Sequence, residues 1–237
     1  MYISRSRRFA AGLPPLPVAP DKPIVCYVTD RKSAGAGAPL ENLLEKIRAA
    51  VEARVDWIQI REKDLPAREL LALAREAVGI TQTLGGKTRV LLNERLDVAL
   101  AAGAAGVHLG QESVPAKDVV KWCRAGNAPA GFLIGASCHS LKEAREAEKA
   151  GADYLFYGPI YDTPSKRAFG QPQGVDRMAE ASAAVGIPVI AIGGINERNA
   201  AECLRAGAAG IAAIRMFQES KDGPALAAIL ARLHGGN

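Results

Sequence analysis

Ala102-Gly103-Ala104-Ala105-Gly106 leads into Val107-His108-Leu109, Ala150-Gly151-Ala152 leads into Asp153 to Tyr157, and Ala206-Gly207-Ala208-Ala209-Gly210 leads into Ile211 to Ile214. Each phrase reads as a helix end, a glycine C-cap and a short buried strand. Three copies of one helix-to-strand joint imply a repeated α/β unit. Working outward, apolar runs of strand length occur at Ile24 to Thr29, Trp57 to Ile60, Val90 to Asn93, Val107 to Leu109, Leu133 to Ser137, Tyr154 to Tyr157, Val189 to Ile192 and Gly210 to Ile214. Helical patterns fill the gaps near Leu40 to Ala53, Ala67 to Leu84, Leu96 to Ala102, Ala116 to Arg124, Leu141 to Ala150, Val175 to Val185, Glu197 to Ala206 and Pro224 to His234. Near-continuous apolar strands suit a parallel sheet covered on its outer face. Eight such units predict an α/β chain folded as a single (β/α)8 TIM barrel, with an open doubly wound sheet as the alternative.

Length and composition agree with one domain. The chain has 237 residues and is 49% hydrophobic, enough for one large core, and barrels of this kind need about 250 residues. The expected division is a Pro- and Arg-rich leader over residues 1–23 and a barrel over residues 24–237. The net charge of +5 comes from basic residues scattered among 25 acidic ones, with the densest run, Arg5 to Arg8, in the leader. No aromatic-interleaved basic stripe follows it, which argues against nucleic acid as a partner. The apolar run after Arg8 is broken by Gly12, Pro14 and Pro15, unlike a secretory signal, and no run approaches the roughly 20 residues of a membrane span. Cys26, Cys123, Cys138 and Cys203 lack metal-ligand or CxxC spacing and fit reduced core thiols in a cytoplasmic protein.

Barrel chemistry forms where strands end, and the strand ends here are polar. The stretch Tyr154 to Gly174 runs from a buried strand into Gly158-Pro159, then Thr163-Pro164-Ser165-Lys166, Gly170 and Gly174. Glycine-freed N–H groups, two hydroxyls and an ammonium suit a phosphate or diphosphate ester, while a solvated surface loop remains the plain alternative. Strand two ends Gln59-Ile60-Arg61-Glu62-Lys63, and period-2 alternation puts Gln59, Arg61 and Lys63 on the inward side. Inward cations are costly unless they meet anions. Strand three ends Asn93-Glu94-Arg95, strand four Gln111-Glu112-Ser113, strand five Ser137-Cys138-His139 and strand seven Gly193-Gly194-Ile195, with Asn196 placed to cap the next helix. His108, inside an apolar strand, reads as structural.

These strand ends, in this order, resemble the thiamin-phosphate synthase (thiamin-phosphate pyrophosphorylase) family and its sister thiazole tautomerases. The similarity rests on Gln59 to Lys63, Leu92 to Arg95, Gly106 to Glu112, Gly135 to Ser140, the Thr163 to Lys166 loop and Ala191 to Ile195, and it covers nearly everything after Lys22. It implies a transferase that joins hydroxymethylpyrimidine diphosphate to thiazole phosphate and releases diphosphate. On that reading Arg61, Lys63 and Lys166 hold the leaving diphosphate, Ser137 donates to it, and Gln59 and Asn93 place the pyrimidine substrate. Thr163, Ser165, Gly193, Gly194 and Ile214 hold the thiazole phosphate. Arg215 stands where the family has a small residue, positioned to bind that phosphate or to narrow the pocket. Members of the family often form dimers or higher oligomers, so the resemblance also implies a homo-oligomer acting on small-molecule phosphate and diphosphate substrates.

It further implies Mg²⁺, and here the chain departs from the pattern. The family's two aspartate ligands are replaced by Glu94 and Ser113. Glu94 offers a carboxylate one methylene further out, whereas a serine hydroxyl is a poor ligand for a hard cation, and alternation turns Glu112 away. His139 matches the catalytic histidine of the tautomerases, whose proton shift needs a general acid/base and no metal-held diphosphate. Three readings therefore stay open: the synthase, a tautomerase using His139, and a non-catalytic binder of thiazole phosphate.

Overall fold

A computed structural model describes residues 20–34, 39–163, 171–220 and 222–235. Eight parallel strands close into a barrel in chain order. They are β1 (Ile24–Val28), β2 (Trp57–Ile60), β3 (Arg89–Asn93), β4 (Gly106–Leu109), β5 (Leu133–Cys138), β6 (Tyr154–Tyr157), β7 (Val189–Ile192) and β8 (Gly210–Ala213). The helices α1 (Pro39–Glu52), α2 (Ala67–Thr83), α3 (Leu96–Ala102), α4 (Ala116–Trp122), α5 (Leu141–Lys149), α6 (Gly174–Ala184) and α7 (Ala200–Arg205) follow the first seven strands. A short α8 (Arg215–Gln218) and then α9 (Gly223–Gly235) follow β8. The expected (β/α)8 barrel is the observed fold. The expected leader lies outside the described residues as far as residue 19.

The repeated phrase does what its glycines suggest. Gly103, Gly151 and Gly207 take φ of +71°, +89° and +98°, the left-handed conformation that ends a helix and suits only a residue without Cβ. In each copy the next residue donates its N–H back five positions: Ala104 to Ala99, Ala152 to Ala147 and Ala208 to Cys203, at 2.9, 3.1 and 3.1 Å. That is the bond of a Schellman motif. One residue later the chain enters the sheet, where Ala105, Asp153 and Ala209 donate to Val90, Ile134 and Val189 of the neighbouring strands at 2.8, 2.7 and 2.8 Å.

Strand alternation then divides the core in two. Outward residues such as Val25, Ile58, Leu92, Val107, Ile134 and Leu155 pack against the helices. The helices answer with amphipathic faces; α1 buries Leu43, Ile47, Ala50 and Val51, spaced for one side of a helix. Inward residues including Ile24, Cys26, Trp57, Leu91, Leu133, Tyr154, Phe156 and Ile190 fill the barrel itself. Each such fully buried large side chain contributes about 1.5–3 kcal/mol of transfer free energy. At the bottom of the barrel Asp56 accepts bonds from the Val25 N–H at 2.9 Å, Lys22 Nζ at 3.0 Å and His234 Nε2 at 2.8 Å, tying α9 to the start of β1.

One expectation is corrected here. The helix after β7 begins at Ala200, so Asn196 does not cap it. Instead the Asn196 side chain accepts the Arg198 N–H at 2.9 Å in a local turn, and Asn199 Oδ1 accepts the Asn196 N–H at 2.8 Å. Arg215, just after strand eight, opens α8, a helix too short to leave a periodic signal in the sequence.

Candidate active site

A cavity of about 250 Å³ opens at the C-terminal ends of the strands, where barrel enzymes place their chemistry. Gln59, Arg61, Asn93, Ser137, His139, Thr163, Gly193, Gly194, Ile214 and Arg215 all line it, so strands two, three, five, six, seven and eight converge there as their polar ends suggested. Ser165 and Lys166 lie outside the described residues.

Buried bonding fixes the β2 side of the cavity. Gln59 is 2% exposed and its Nε2 donates to Asn93 Oδ1 at 3.0 Å, which locks two amides of neighbouring strands into one unit. Arg61 is held through its backbone: its N–H donates to Thr29 Oγ1 at 2.9 Å, and that hydroxyl donates to Glu62 Oε1 at 2.6 Å. Glu62, 4% exposed, also accepts the Arg31 N–H and guanidinium. Arg31 in turn forks onto Asp64 at 2.6 and 2.9 Å. That bonding, more than desolvation opposes it, raises the Arg31 pKa and holds Asp64 well below the ordinary carboxylate range. The loops after β1 and β2 are thus cross-linked beneath Arg61, leaving its side chain for the cavity.

The opposite wall is backbone. Gly193 and Gly194 have φ of +97° and +70°, and a Cβ on them would come within 2.5 Å of Pro159 Cβ and 2.7 Å of Tyr161 Cβ. Only glycine lets this turn press against the loop after β6, which Ile160 and Tyr161 zip to it by donating to Ile192 and Gly193 carbonyls at 2.9 and 3.0 Å. Beside it, Arg215 is anchored through its helix. Buried Gln218 donates to the Asp30 carbonyl at 2.6 Å and accepts from Ser33 Oγ.

Lys63, Glu94 and Ser113 do not line the cavity. Alternation lapses because β2 ends at Ile60 and the chain turns, so Lys63 stands at the rim with its Nζ 3.0 Å from Glu94 Oε1. Glu94 has φ +63°, a strained conformation for a non-glycine residue at a cost of about 1 kcal/mol. A Cβ at Gly110 would sit 2.6 Å from Glu94 Oε1 and 3.8 Å from Ser113 Oγ, so the two expected metal positions both flank Gly110. Their donor set does not fit a divalent cation. Glu94 is engaged by an ammonium, Ser113 Oγ accepts the Gly110 N–H at 2.9 Å, and among the described residues no three His, Cys, Asp or Glu side chains gather to hold a metal. Glu112 is exposed.

His139 enters the cavity with its Nδ1 bonded to the Gly158 carbonyl, and since a carbonyl only accepts, Nδ1 is the donor of that bond. The Glu143 carboxylate takes the His139 N–H at 2.8 Å. His108, read as structural from sequence, lines the cavity as well. Asp30, Ser33 and Phe156 were missed. Asp30 follows the end of β1 and Phe156 shares the inward parity of Tyr154, so the strand-end and alternation signals used elsewhere point to both. All four cysteines are buried and free, and burial pushes the Cys138 thiol up to about 12, leaving it inert.

Two arginines at the ends of β2 and β8, facing a glycine-walled turn in a barrel mouth, make an anion the natural guest and place the chain among barrel enzymes that act on phosphate esters. The sequence model described as thiamine monophosphate synthase matches residues 25–217. The chain belongs to that family, a family of transferases in thiamin biosynthesis. It is 46% identical over 187 residues to a putative thiamine-phosphate synthase of Geobacter sulfurreducens, covering 79% of this chain and 83% of the relative. It is 40% identical over 200 residues to the thiamine-phosphate synthase of a Roseiflexus species, covering 84% and 80%. The thiamine phosphate pyrophosphorylase structure from Pyrococcus furiosus superimposes with a TM-score of 0.76 at 34% identity, over 91% of this chain and 96% of that one. No helix among the described residues is long and apolar enough to cross a membrane.

Proposed function

We propose that the cavity joins hydroxymethylpyrimidine diphosphate to thiazole phosphate. The thiazole nitrogen forms a bond to the pyrimidine methylene carbon as its bond to the diphosphate oxygen breaks, giving thiamin phosphate and diphosphate. Charge builds on the departing oxygens, so the groups that matter are those fixed in advance to meet it. The observation that carries this reading is the Arg61 unit. The guanidinium is presented to the cavity by a backbone pinned through Thr29 to Glu62, beside the Gln59–Asn93 amide pair, which can read a heteroaromatic ring edge.

In this reading Arg61 binds the leaving diphosphate, Lys63 and Lys166 add charge from the rim and the loop after β6, and Ser137 donates a hydrogen bond to it. Thr163, Ser165, Gly193, Gly194, Ile214 and Arg215 hold the thiazole phosphate. Because the donors at Glu94 and Ser113 do not suit a divalent cation, none of these roles passes through a protein-held Mg²⁺. None of the relatives named above is a tautomerase, so aromatisation by His139 is not carried further. A cytoplasmic setting suits four buried thiols, and assembly into a homo-oligomer belongs to the same reading.

Incubating the full chain with both substrates and MgCl₂ tests it. Thiamin phosphate and diphosphate should accumulate in equal amounts, and no product at high enzyme concentration overturns the reading.

A further inference from the structure

His108 has a part in this chemistry that its position inside β4 conceals. The side chain is 1% exposed and is held from three sides. Its Nδ1 lies 3.2 Å from the Tyr154 hydroxyl on β6, its Nε2 lies 2.9 Å from Ser137 Oγ on β5, and its ring rests on Phe156 at 4.2 Å between centroids. Ser137, like His108 itself, lines the cavity with Arg61 and Gln59.

The direction of these bonds follows from their deepest member. Tyr154 is wholly buried, and desolvation raises its pKa well above the ordinary phenol value, so it keeps its proton. A buried hydroxyl hydrogen needs an acceptor, and Nδ1 is within reach. With Nδ1 accepting, the imidazole carries its hydrogen on Nε2 and gives it to Ser137 Oγ. The Ser137 hydrogen must then point elsewhere, and the cavity is where that hydroxyl opens. The reverse arrangement strands the Tyr154 hydrogen in the core and turns the Ser137 hydrogen back onto Nε2, away from any ligand.

The chain also reserves the space that Tyr154 needs. Gly135 stands opposite it across the β5–β6 ladder, and a Cβ there would lie 2.1 Å from Tyr154 Cζ. Gly135 and Ser137 are two apart on one inward face, so the glycine admits the ring and the serine receives its effect.

We propose that Tyr154 and His108 are positioning residues that fix the tautomer of the imidazole and thereby hold Ser137 as a hydrogen-bond donor to the departing diphosphate. This deepens the condensation reading and rests on it.

Nitrogen NMR of the histidine side chains in the wild-type chain reads the tautomer without any turnover. His108 should be protonated at Nε2 and bare at Nδ1, and Tyr154→Phe should mix the two forms. An Nδ1-protonated His108 in the wild type overturns the proposal. Kinetically, Tyr154→Phe should lower kcat about tenfold with KM for both substrates little changed. Added to Ser137→Ala, it should cause no further loss, because its effect acts only through that hydroxyl. His108→Gln, which keeps an acceptor and a donor, should retain more activity than His108→Leu. Equal loss from Tyr154→Phe in both backgrounds, or no loss at all, overturns the relay. A wild-type chain that makes no thiamin phosphate overturns the condensation reading instead, while the NMR result still decides the direction of the bonds.

Discussion

Lys63 Nζ sits 3.0 Å from Glu94 Oε1, so an ammonium of the protein occupies the carboxylate that the family resemblance assigns to a metal. The neighbouring Ser113 contributes a neutral oxygen already accepting an N–H. Replacing Ser113 by Asp restores a second carboxylate across Gly110 from Glu94. Ser113→Asp should tighten Mg²⁺ binding about tenfold, seen as a larger rise in melting temperature with added MgCl₂ than in the wild type. Identical metal dependence in the two chains would show that position 113 is irrelevant to cation binding.

Arg215 opens α8 at the cavity edge and is braced through Gln218. Arg215→Ser should raise KM for thiazole phosphate about tenfold while leaving kcat within twofold, as expected for removal of a binding contact made equally in the ground and transition states. Steady-state kinetics with the pyrimidine substrate saturating measures this. A lower KM would mean that the arginine obstructs the site.

Gly135 is required for volume. With a Cβ 2.1 Å from Tyr154 Cζ, Gly135→Ala should destabilise the fold by about 3 kcal/mol in urea unfolding, and Tyr154→Leu in the same chain should recover part of that loss. Full additivity of the two changes would contradict the contact.

Asp56 links stability to acid. Burial alone raises its pKa, but bonds from His234, the Val25 N–H and Lys22 outweigh that and leave it below the ordinary carboxylate value. A carboxyl depressed in the folded state contributes stability above its unfolded pKa and loses it as pH falls through the folded value, here below about pH 4. Asp56→Asn should therefore cost about 2 kcal/mol at pH 7, and the gap between variant and wild type should close in acid. Urea denaturation at a series of pH values tests the sign; a constant gap would refute it.

Most of the fold was legible because its signals are local. A glycine such as Gly103 that follows a helical run ends it in the left-handed conformation by local geometry alone, and alternation along Trp57 to Ile60 needs no knowledge of the partner strand. The same rule placed Gln59 and Arg61 in the cavity. It failed at Lys63 because alternation holds only while the strand lasts. His108 was illegible for another reason: its partners Ser137 and Tyr154 lie 29 and 46 positions away, and a histidine among apolar neighbours looks the same whether it is merely satisfied or joined to a site. Arg215 was singled out as a binding residue, but the helix it opens, α8, was missed because four residues carry no period. The loop holding Ser165 and Lys166 falls outside the described residues.

The interior of the barrel is layered along its axis, with Trp57, Leu91 and Leu133 packed below and Gln59, Asn93 and Ser137 above. Heritable change can therefore accumulate in the upper layer, altering which esters are accepted, without eroding the plug that keeps the chain folded. Tyr154 is the exception, because its ring belongs to the plug and its hydroxyl reaches upward to His108. A lineage drifting toward new chemistry could exchange Arg215 or Ser113 early, but Tyr154, answerable to both layers at once, would be among the last positions free to change.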